Sequence, residues 1–376
     1  MVIPSETEIV VIGGGPAGLA TALAARRNGS EVCVVDRAQP PIDKACGEGV
    51  MPDGVAALRQ LGVVLGTGHG LPFRGIRFTD DQQIAEARFP DESGVGIRRT
   101  ALHQILVDRV EAAGIVTGWR AKVTGLEPEG IRIGDQLVRC RWIIGADGAL
   151  SQIRQWAGLA PVRDGSRRIG LRQHFRVKPW SDFVEVHWAN GCQAYVTPVG
   201  PDEVCIALLG RTQDLCFTDL AVRFPQLGGR LENAKPIGGV RGGFSASTRL
   251  RRVTAGRIAL VGDASGSIDA VTGEGLTLAF RQAAALGMAL ATGDLASYEA
   301  THRRICRMPF LMAHLLLLMD NHEGLRKITL QALTARPRIF SRLIAAHVGA
   351  RHPAAASLDV LALSLSLLKH AADAAR

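Results

Sequence analysis

Hydrophobic positions at the start of the chain fall into two periods. Glu8 to Gly13 carries a short unbroken apolar run closed by glycine, the pattern of a strand buried on both faces. Pro16 to Asn28 has helical spacing, with proline in its first turn and Gly29 just past its end. Val32 to Val35 is a second apolar run, so the chain opens with a βαβ unit. A polar loop, Arg37 to Gly49, leads to a short helix with Val55, Leu58 and Leu61 on one face. Thr100 to Ala113 is predicted as an amphipathic helix through Leu102, Ile105, Leu106 and Val110. Trp142 to Ile144 reads as a short buried strand ending in Gly145-Ala146-Asp147-Gly148.

From Arg167 to Gly210 the period changes. Phe183 to Trp188, Ala194 to Val199 and Val204 to Leu209 read as strands, the last two joined by the turn Gly200-Pro201-Asp202. Ile258 to Gly262 returns to the buried-strand pattern, and the remainder is mostly helical. No repeat or low-complexity linker separates the two patterns, so two interleaved domains are expected.

The 376 residues, 47% hydrophobic and 21% charged, suffice for a sizeable core. A net charge of +9 calls for anionic partners, yet there is no lysine/arginine block and aromatics are only 5%. A membrane surface or an anionic cofactor fits better than nucleic acid, which is not expected. Seven cysteines, an odd number with no C-x-x-C pair, indicate neither a disulfide framework nor a zinc site, and no metal is expected. The N-terminus lacks the charged and apolar regions of a signal peptide. The longest apolar run, Phe310 to Met319 with His314 inside it, is shorter than the roughly 20 residues a bilayer requires. A cytoplasmic protein is the expectation, with peripheral membrane contact as its open alternative.

Gly13-Gly14-Gly15-Pro16-Ala17-Gly18 fits G-x-G-x-x-G and sits between a predicted strand and a predicted helix. Gly13 suits the tight turn, Gly15 a close approach to a pyrophosphate, and Gly18 the packing of helix on strand. The helix start, with Pro16 and Ala17, offers free N–H groups and a partial positive charge to phosphates. Asp36, followed by Arg37, ends the second strand where a ribose-binding carboxylate is expected. An acid there suits the unphosphorylated adenosine ribose of FAD or NAD rather than NADP.

Two further segments choose between these. Gly145-Ala146-Asp147-Gly148-Ala149-Leu150-Ser151-Gln152-Ile153-Arg154 resembles the Asp-Gly motif of the flavoprotein monooxygenase and geranylgeranyl reductase superfamily. Arg257 to Gly266, running on to Thr272-Gly273-Glu274-Gly275-Leu276, resembles its Gly-Asp motif, whose aspartate holds the flavin ribityl chain. The resemblance spans residues 9 to about 285. It implies FAD, with Gly262 and Asp263 at the ribityl chain and Gly273, Gly275 and Leu276 at the ring. Lys44 to Gly49 and Thr272 to Gly275 resemble the geranylgeranyl reductase branch, which places Cys46 and Gly47 beside the flavin. The His and Pro that follow the Gly-Asp pair in aromatic hydroxylases are absent, as are the halogenases' W-x-W-x-I-P segment and catalytic lysine. Ile97 to Leu102 resembles the segment whose arginine opens a helix and contacts FAD; Arg99 is favoured over Arg98. Only one dinucleotide fingerprint exists, so NAD(P)H is expected at most as a transient electron donor.

The expected fold is therefore α/β: a Rossmann-like FAD-binding domain interleaved with a β-sheet substrate domain and a helical C-terminal region. The boundaries read as 1–165 for the first part of the FAD-binding domain, with an inserted segment at about 65–95. The β-rich substrate domain follows at 166–250, the last part of the FAD-binding domain at 251–295, and the helical region at 296–376. The leading function is FAD-dependent reduction of a carbon–carbon double bond in a prenyl or related lipid. The alternatives are an NAD(P)H- and oxygen-dependent monooxygenase of an aromatic or quinone-like lipid, and a flavin-binding protein without turnover. Catalytic residues and oligomeric state are not legible. Cys46 reads as a small packing residue rather than a reactive thiol. His174, His187 and Tyr195 lie in the β block expected to wall the substrate pocket, with Glu185 and His187 on one face and Val184, Val186 and Trp188 on the other. After residue 300, Leu311, Leu315, Leu318, Leu330, Leu333, Phe340 and Ile344 interleave with arginines such as Arg303, Arg304, Arg307 and Arg342. That pattern fits a helical layer packed on the domain or a lipid-facing surface.

Overall fold

The computed structural model describes residues 3–66, 68–80, 82–164, 167–211 and 215–349; the expected helical continuation over 350–376 lies outside them. The chain starts β1 (Glu6–Ile12), α1 (Pro16–Arg27), β2 (Val32–Asp36). It then makes β3 (Gly49–Val50), α2 (Pro52–Gln60), β4 (Leu71–Phe73), β5 (Gly75–Thr79), β6 (Ile84–Arg88) and β7 (Gly94–Gly96). Next come α3 (Arg99–Ala112), β8 (Val116–Trp119), the hairpin β9 (Val123–Glu127) and β10 (Gly130–Ile133), β11 (Gln136–Gly145) and α4 (Gln152–Trp156). The second region holds β12 (Pro161–Asp164), β13 (Arg168–Arg176), β14 (Val184–Ala189), β15 (Cys192–Gly200), β16 (Glu203–Gly210), α5 (Leu220–Arg223), α6 (Pro225–Leu231), β17 (Lys235–Ser245) and β18 (Thr248–Leu250). The chain closes with β19 (Thr254–Ala255), β20 (Ile258–Leu260), α7 (Gly275–Thr292), α8 (Leu295–Asn321), α9 (Glu323–Ala335) and α10 (Pro337–His347).

The first sheet runs β19-β20-β11-β1-β2-β8, with β9 and β10 attached off that path. Its centre is parallel: β1 pairs with both β2 and β11, and β11 with β20. Parallel strands bury both faces, which is why Ile9, Val10, Val11, Val34 and Ile144 form an unbroken apolar core without alternation. α1 lies on β1 and β2, with α3 and α7 packed against it. α1 and α7 cross so closely that a Cβ on Gly287 would stand 2.5 Å from Ala24 Cβ. The carboxyl ends of β1, β2, β11 and β20 converge on one rim, where ligands of parallel α/β sheets bind.

The second sheet runs β17-β13-β16-β15-β14-β5-β6. β5, from the early excursion, adds to it in parallel beside β14, with Ile76 opposite Val184. One face carries Ala194, Val196, Ile206 and Leu208 against Leu220, Phe224 and Leu227 of α5 and α6. The other carries Val184, Val186, Trp188 and Tyr195 against Ala313, Leu316 and Met319 of α8, Leu330 and Leu333 of α9, and Phe340 and Ile344 of α10. The apolar side chains of the C-terminal helices are thus largely spent on packing. No helix among the described residues is long and apolar enough to cross a membrane.

Candidate functional site

The glycine loop sits at the rim between β1 and α1, and its glycines divide into two kinds. Gly13 has φ +114, and a Cβ there would lie 2.3 Å from the Ala146 carbonyl oxygen. A Cβ on Gly18 would lie 1.8 Å from the Gly13 carbonyl oxygen. Both glycines are required by the protein's own packing. Gly15 is different: it caps α1 in extended backbone (φ −73, ψ 176), and the nearest atom to a Cβ there is Arg99 Nη2 at 4.0 Å. Its small size serves no protein neighbour. It leaves an open cradle at a helix N-terminus, where free N–H groups and the helix dipole favour an anion. Arg99 is buried and its Nε has no hydrogen-bond partner, so a fixed cation with unused donor capacity stands beside the cradle. Cradle and guanidinium together fit a pyrophosphate. Arg98, by contrast, turns to Glu203 at 2.5 Å.

Asp36 closes the cradle at the end of β2, accepting from Gly14 N at 2.6 Å and Ala38 N at 2.7 Å. Arg37 beyond it is exposed. On the other side His103, a buried residue of α3, bonds the Gly14 carbonyl oxygen through Nε2 at 2.8 Å. Burial holds its pKa below the ordinary imidazole range, which favours the neutral ring with Nε2 as donor.

The two later motifs approach the same rim. Asp263 follows β20, and Lys44 Nζ reaches its carboxylate at 2.8 Å. Burial acts to raise that carboxyl, but the Lys44 ammonium, with Arg99 and Arg154, prevails and holds it below the usual range. Asp147 spends its carboxylate locally, accepting from Ser151 Oγ at 2.5 Å, Gln152 N at 2.7 Å and Ile153 N at 3.2 Å. Its carboxylate thus holds the start of α4, while its backbone N lies beside the glycine loop, 2.9 Å from a Cβ built on Gly13. Arg154 fastens the two motifs together, donating to Ala149 O at 2.7 Å and to Ala264 O at 3.2 Å. Gly262 (φ +62) leaves room for Ala17, whose Cβ would lie 2.7 Å from a Cβ at 262, and donates its N–H to Gln282. Ser265 ties back to Gly262 O at 2.7 Å and is held by buried His302 at 2.9 Å. Gly273 (φ +69) turns the chain into Gly275 and Leu276 at the start of α7.

The loop from Lys44 to Gly49 lies between this rim and the second sheet. Thr197 of β15 donates to Gly47 O at 2.7 Å. Glu48 has φ +60, unusual for a residue with a Cβ, and is fully buried. Its carboxylate accepts from Arg99 N at 2.9 Å, meets His174 Nε2 at 2.7 Å and stands 3.3 Å from Arg172. Glu48 N donates to the Cys46 thiol, which burial pushes above its ordinary pKa. A thiol held protonated suits packing rather than nucleophilic reactivity. The donor atoms of Glu48, His174 and Cys205 lie within 4.8 Å of one another, but the Arg172 guanidinium fills out that cluster as an ion-pair network.

Of the three expected pocket residues, His174 is at the Glu48 loop. Tyr195 faces the same side, its hydroxyl bonded to Val271 O at 2.8 Å. His187 is not brought there: it pairs with Glu185 at 3.0 Å, on the sheet face that α5 and α6 cover.

Residues 6–194 match the FAD binding domain family. The chain belongs to that family. Its cofactor is FAD and it is a flavin oxidoreductase. Among curated relatives it is 27% identical over 350 residues to a menaquinone reductase of Mycobacterium tuberculosis, covering 83% of this chain and 81% of the relative. It is 23% identical to digeranylgeranylglycerophospholipid reductase 1 of Methanothermobacter thermautotrophicus, covering 82% and 84%. Solved structures share the fold. A flavoprotein/dehydrogenase from Cytophaga hutchinsonii superposes with a TM-score of 0.78 at 17% identity, covering 90% of this chain and 93% of that one. A geranylgeranyl bacteriochlorophyll reductase-like protein from Thermoplasma acidophilum gives 0.72 at 17%, covering 88% and 91%.

Within this FAD-binding frame, sequence reasoning missed His103, Arg172 and the clamping role of Arg154. Their decisive partners lie far along the chain: Gly14 for His103, Glu48 and Asp43 for Arg172, and Ala264 for Arg154. Glu48 had one usable clue: it sits between two glycines in a loop expected at the flavin.

Proposed function

We propose that this FAD enzyme reduces a carbon–carbon double bond in an isoprenoid lipid, such as the prenyl tail of a quinone. Reduced FAD would supply a hydride to one alkene carbon, a proton from solvent would reach the other, and the electrons would come from an external donor such as NAD(P)H. The residues proposed to hold FAD are Gly13, Gly15, Pro16, Ala17 and Gly18 with Arg99 at the pyrophosphate and Asp36 at the adenosine ribose. Asp263 would take the ribityl hydroxyls in place of the Lys44 ammonium, and Gly47, Gly262, Gly273, Gly275 and Leu276 would border the ring. The observation that carries the substrate class is the apolar wall beside the flavin loops. Met51 and Val271, one from each loop region, join Tyr195, Trp188, Phe78 and Phe340 in a single buried apolar cluster. Such a lining stabilises an alkene or prenyl chain by burial and excludes water from the hydride path. The named activities of the two reductase relatives support the same class.

The test is anaerobic reduction of the holoprotein with dithionite, addition of a menaquinone with an unsaturated tail, and mass analysis. A gain of two hydrogens located in the prenyl tail by fragment mass, after the quinone ring has been reoxidised, supports the reading. A gain of one oxygen on admitting air, with no anaerobic product, replaces it with a monooxygenase.

We also infer a peripheral contact with anionic lipid through α8. Arg304, Arg307, Leu311 and Leu315 are exposed and recur at helical spacing on one face. An anionic surface attracts basic residues by about 1 kcal/mol each. Flotation with anionic but not neutral liposomes, weakened by salt, is expected; equal, negligible flotation in both would reject the contact.

A further inference from the structure

Behind the Gly273–Gly275 turn lies a second polar cluster that the flavin site does not use. Glu274, the residue that caps α7, is fully buried, and neither carboxylate oxygen has a hydrogen-bond partner. His347 at the end of α10 approaches it to 3.3 Å through Nε2, leaving Nδ1 without a partner. Thr277, one turn on, is fully buried with its hydroxyl unbonded. Asp53, at the start of α2, pairs with Arg281 at 3.0 Å through Oδ2, while Oδ1 has no partner. A Cβ on Gly54 would lie 2.5 Å from Thr277 Oγ1, so α2 and α7 meet at this point.

Five buried polar atoms from three helices lie here, and among the described residues none of them has a hydrogen-bond partner. Buried polar atoms are normally paired, and a polar site with two to four partners per molecule is the setting of structural water. The cluster also has a way out. Arg281 is 31% exposed and Asp53 14%, whereas Glu274 is sealed against the flavin turn. Among the described residues, the charged and titratable groups facing it are Asp53 from α2, Glu274 and Arg281 from α7, and His347 from α10.

We propose that Asp53, Glu274, Thr277 and His347 enclose an internal water site whose carboxyl pair takes up one proton from solvent when the adjacent FAD is reduced. This rests on the assignment of the Gly273–Gly275 turn to the flavin ring. Burial, with Asp53 adding, pushes Glu274 well above the carboxylate range, so it is already protonated. Burial raises Asp53 to about 6 against the pull of Arg281, so it is mostly ionised at neutral pH and ready to accept. Burial lowers His347 to about 4 and keeps it neutral. Two electrons from an external donor, dithionite in the test, add negative charge at the N-terminus of α7. The proton that offsets it enters at the Arg281 mouth and settles on Asp53, with Glu274 and the water linking it to the turn. The flavin's own protonation is additional and common to all variants.

The test measures the FAD midpoint potential against pH in wild type, Asp53→Asn and Glu274→Gln, with FAD affinity as a control and apoprotein unfolding as a second readout. Expected are unchanged FAD affinity in both variants, a shallower dependence of potential on pH on the alkaline side of 6 in Asp53→Asn, and the wild-type slope in Glu274→Gln, which is neutral like the protonated carboxyl it replaces. Apoprotein Glu274→Gln should also gain on wild type as pH rises, by up to tenfold in the folding constant per pH unit, because it has no proton to retain. An Asp53→Asn potential curve that superimposes on wild type overturns the proposal, whether or not the stability gain appears. So does a Glu274→Gln apoprotein whose stability parallels wild type across pH, since Glu274 would then be ionised.

Discussion

Gly15→Val separates what the protein needs from what the cofactor needs. At Gly13 and Gly18 a side chain would strike backbone at 2.3 and 1.8 Å. At Gly15 the backbone is extended and nothing but the tip of Arg99 lies within 4 Å, so the folded chain tolerates valine. The cost to folding is that of a poorer N-cap on α1, about 1 kcal/mol. The cost to FAD is larger, because the new methyl groups occupy the pyrophosphate cradle. Losing two charge-assisted hydrogen bonds, at roughly 1.5–3 kcal/mol each, amounts to about 3–6 kcal/mol. At 1.4 kcal/mol per decade that is roughly a 100- to 10,000-fold weaker Kd. The assay is titration of apoprotein with FAD followed by flavin fluorescence, beside thermal unfolding of the same apoprotein. Gly18→Ala should instead abolish the folding transition. A Gly15→Val protein that binds FAD within threefold of wild type, or that fails to fold, would refute this division.

Cys46→Ser should retain FAD with at most a few-fold change in affinity, and denaturation should release free FAD; a covalent flavin adduct by mass would contradict the packing role. Arg154→Ala leaves the carbonyls of Ala149 and Ala264 without the donor Arg154 gives them, and Asp263 O with only Gly266 N–H, and should cost about 2–4 kcal/mol of stability by denaturant titration. His302, held near pKa 4 by burial, is neutral in the fold while its unfolded counterpart protonates near 6.5. Its contribution is therefore complete above pH 6.5 and lost as pH falls toward 4, amounting to about 3 kcal/mol. His302→Gln should flatten that part of the stability–pH curve, and an unchanged slope would place the acid sensitivity elsewhere.

The βαβ opening was legible because each feature has a local cause: continuous apolar runs, a proline in the first helical turn and glycines required by backbone approach. Asp36 and Asp263 were legible as strand-end acids. β11 was read only over Trp142 to Ile144, whereas it extends over Gln136–Gly145. Its first half alternates in burial because it pairs with the hairpin strand β10, and only the last part lies deep in the parallel sheet. α5 and α6 lie within a block read as β-rich, since they are too short for helical periodicity to register. β17 escaped notice because its glycine-rich, largely exposed sequence has no apolar alternation, and it is held as an edge strand by backbone bonds to β13. Nothing near Ile76 announces that it will lie opposite Val184, and nothing near Glu48 announces His174. Such pairings are set by closure of the whole fold.

The order in which the site's parts occur along the chain governs how the protein can be assembled. The glycine loop and Asp36 leave the ribosome first, but Asp263 and the Gly273 turn follow β20 and cannot join until more than two thirds of the chain has been made. β5 and β6 must likewise wait for β14 before they have a sheet to extend. Nascent chains are therefore expected to acquire flavin late, as a near-final step of maturation. A fragment cut at residue 194, where the family match ends, would sever β15 and lack both the flavin turn and the partners of β13, leaving a long exposed sheet edge prone to aggregate.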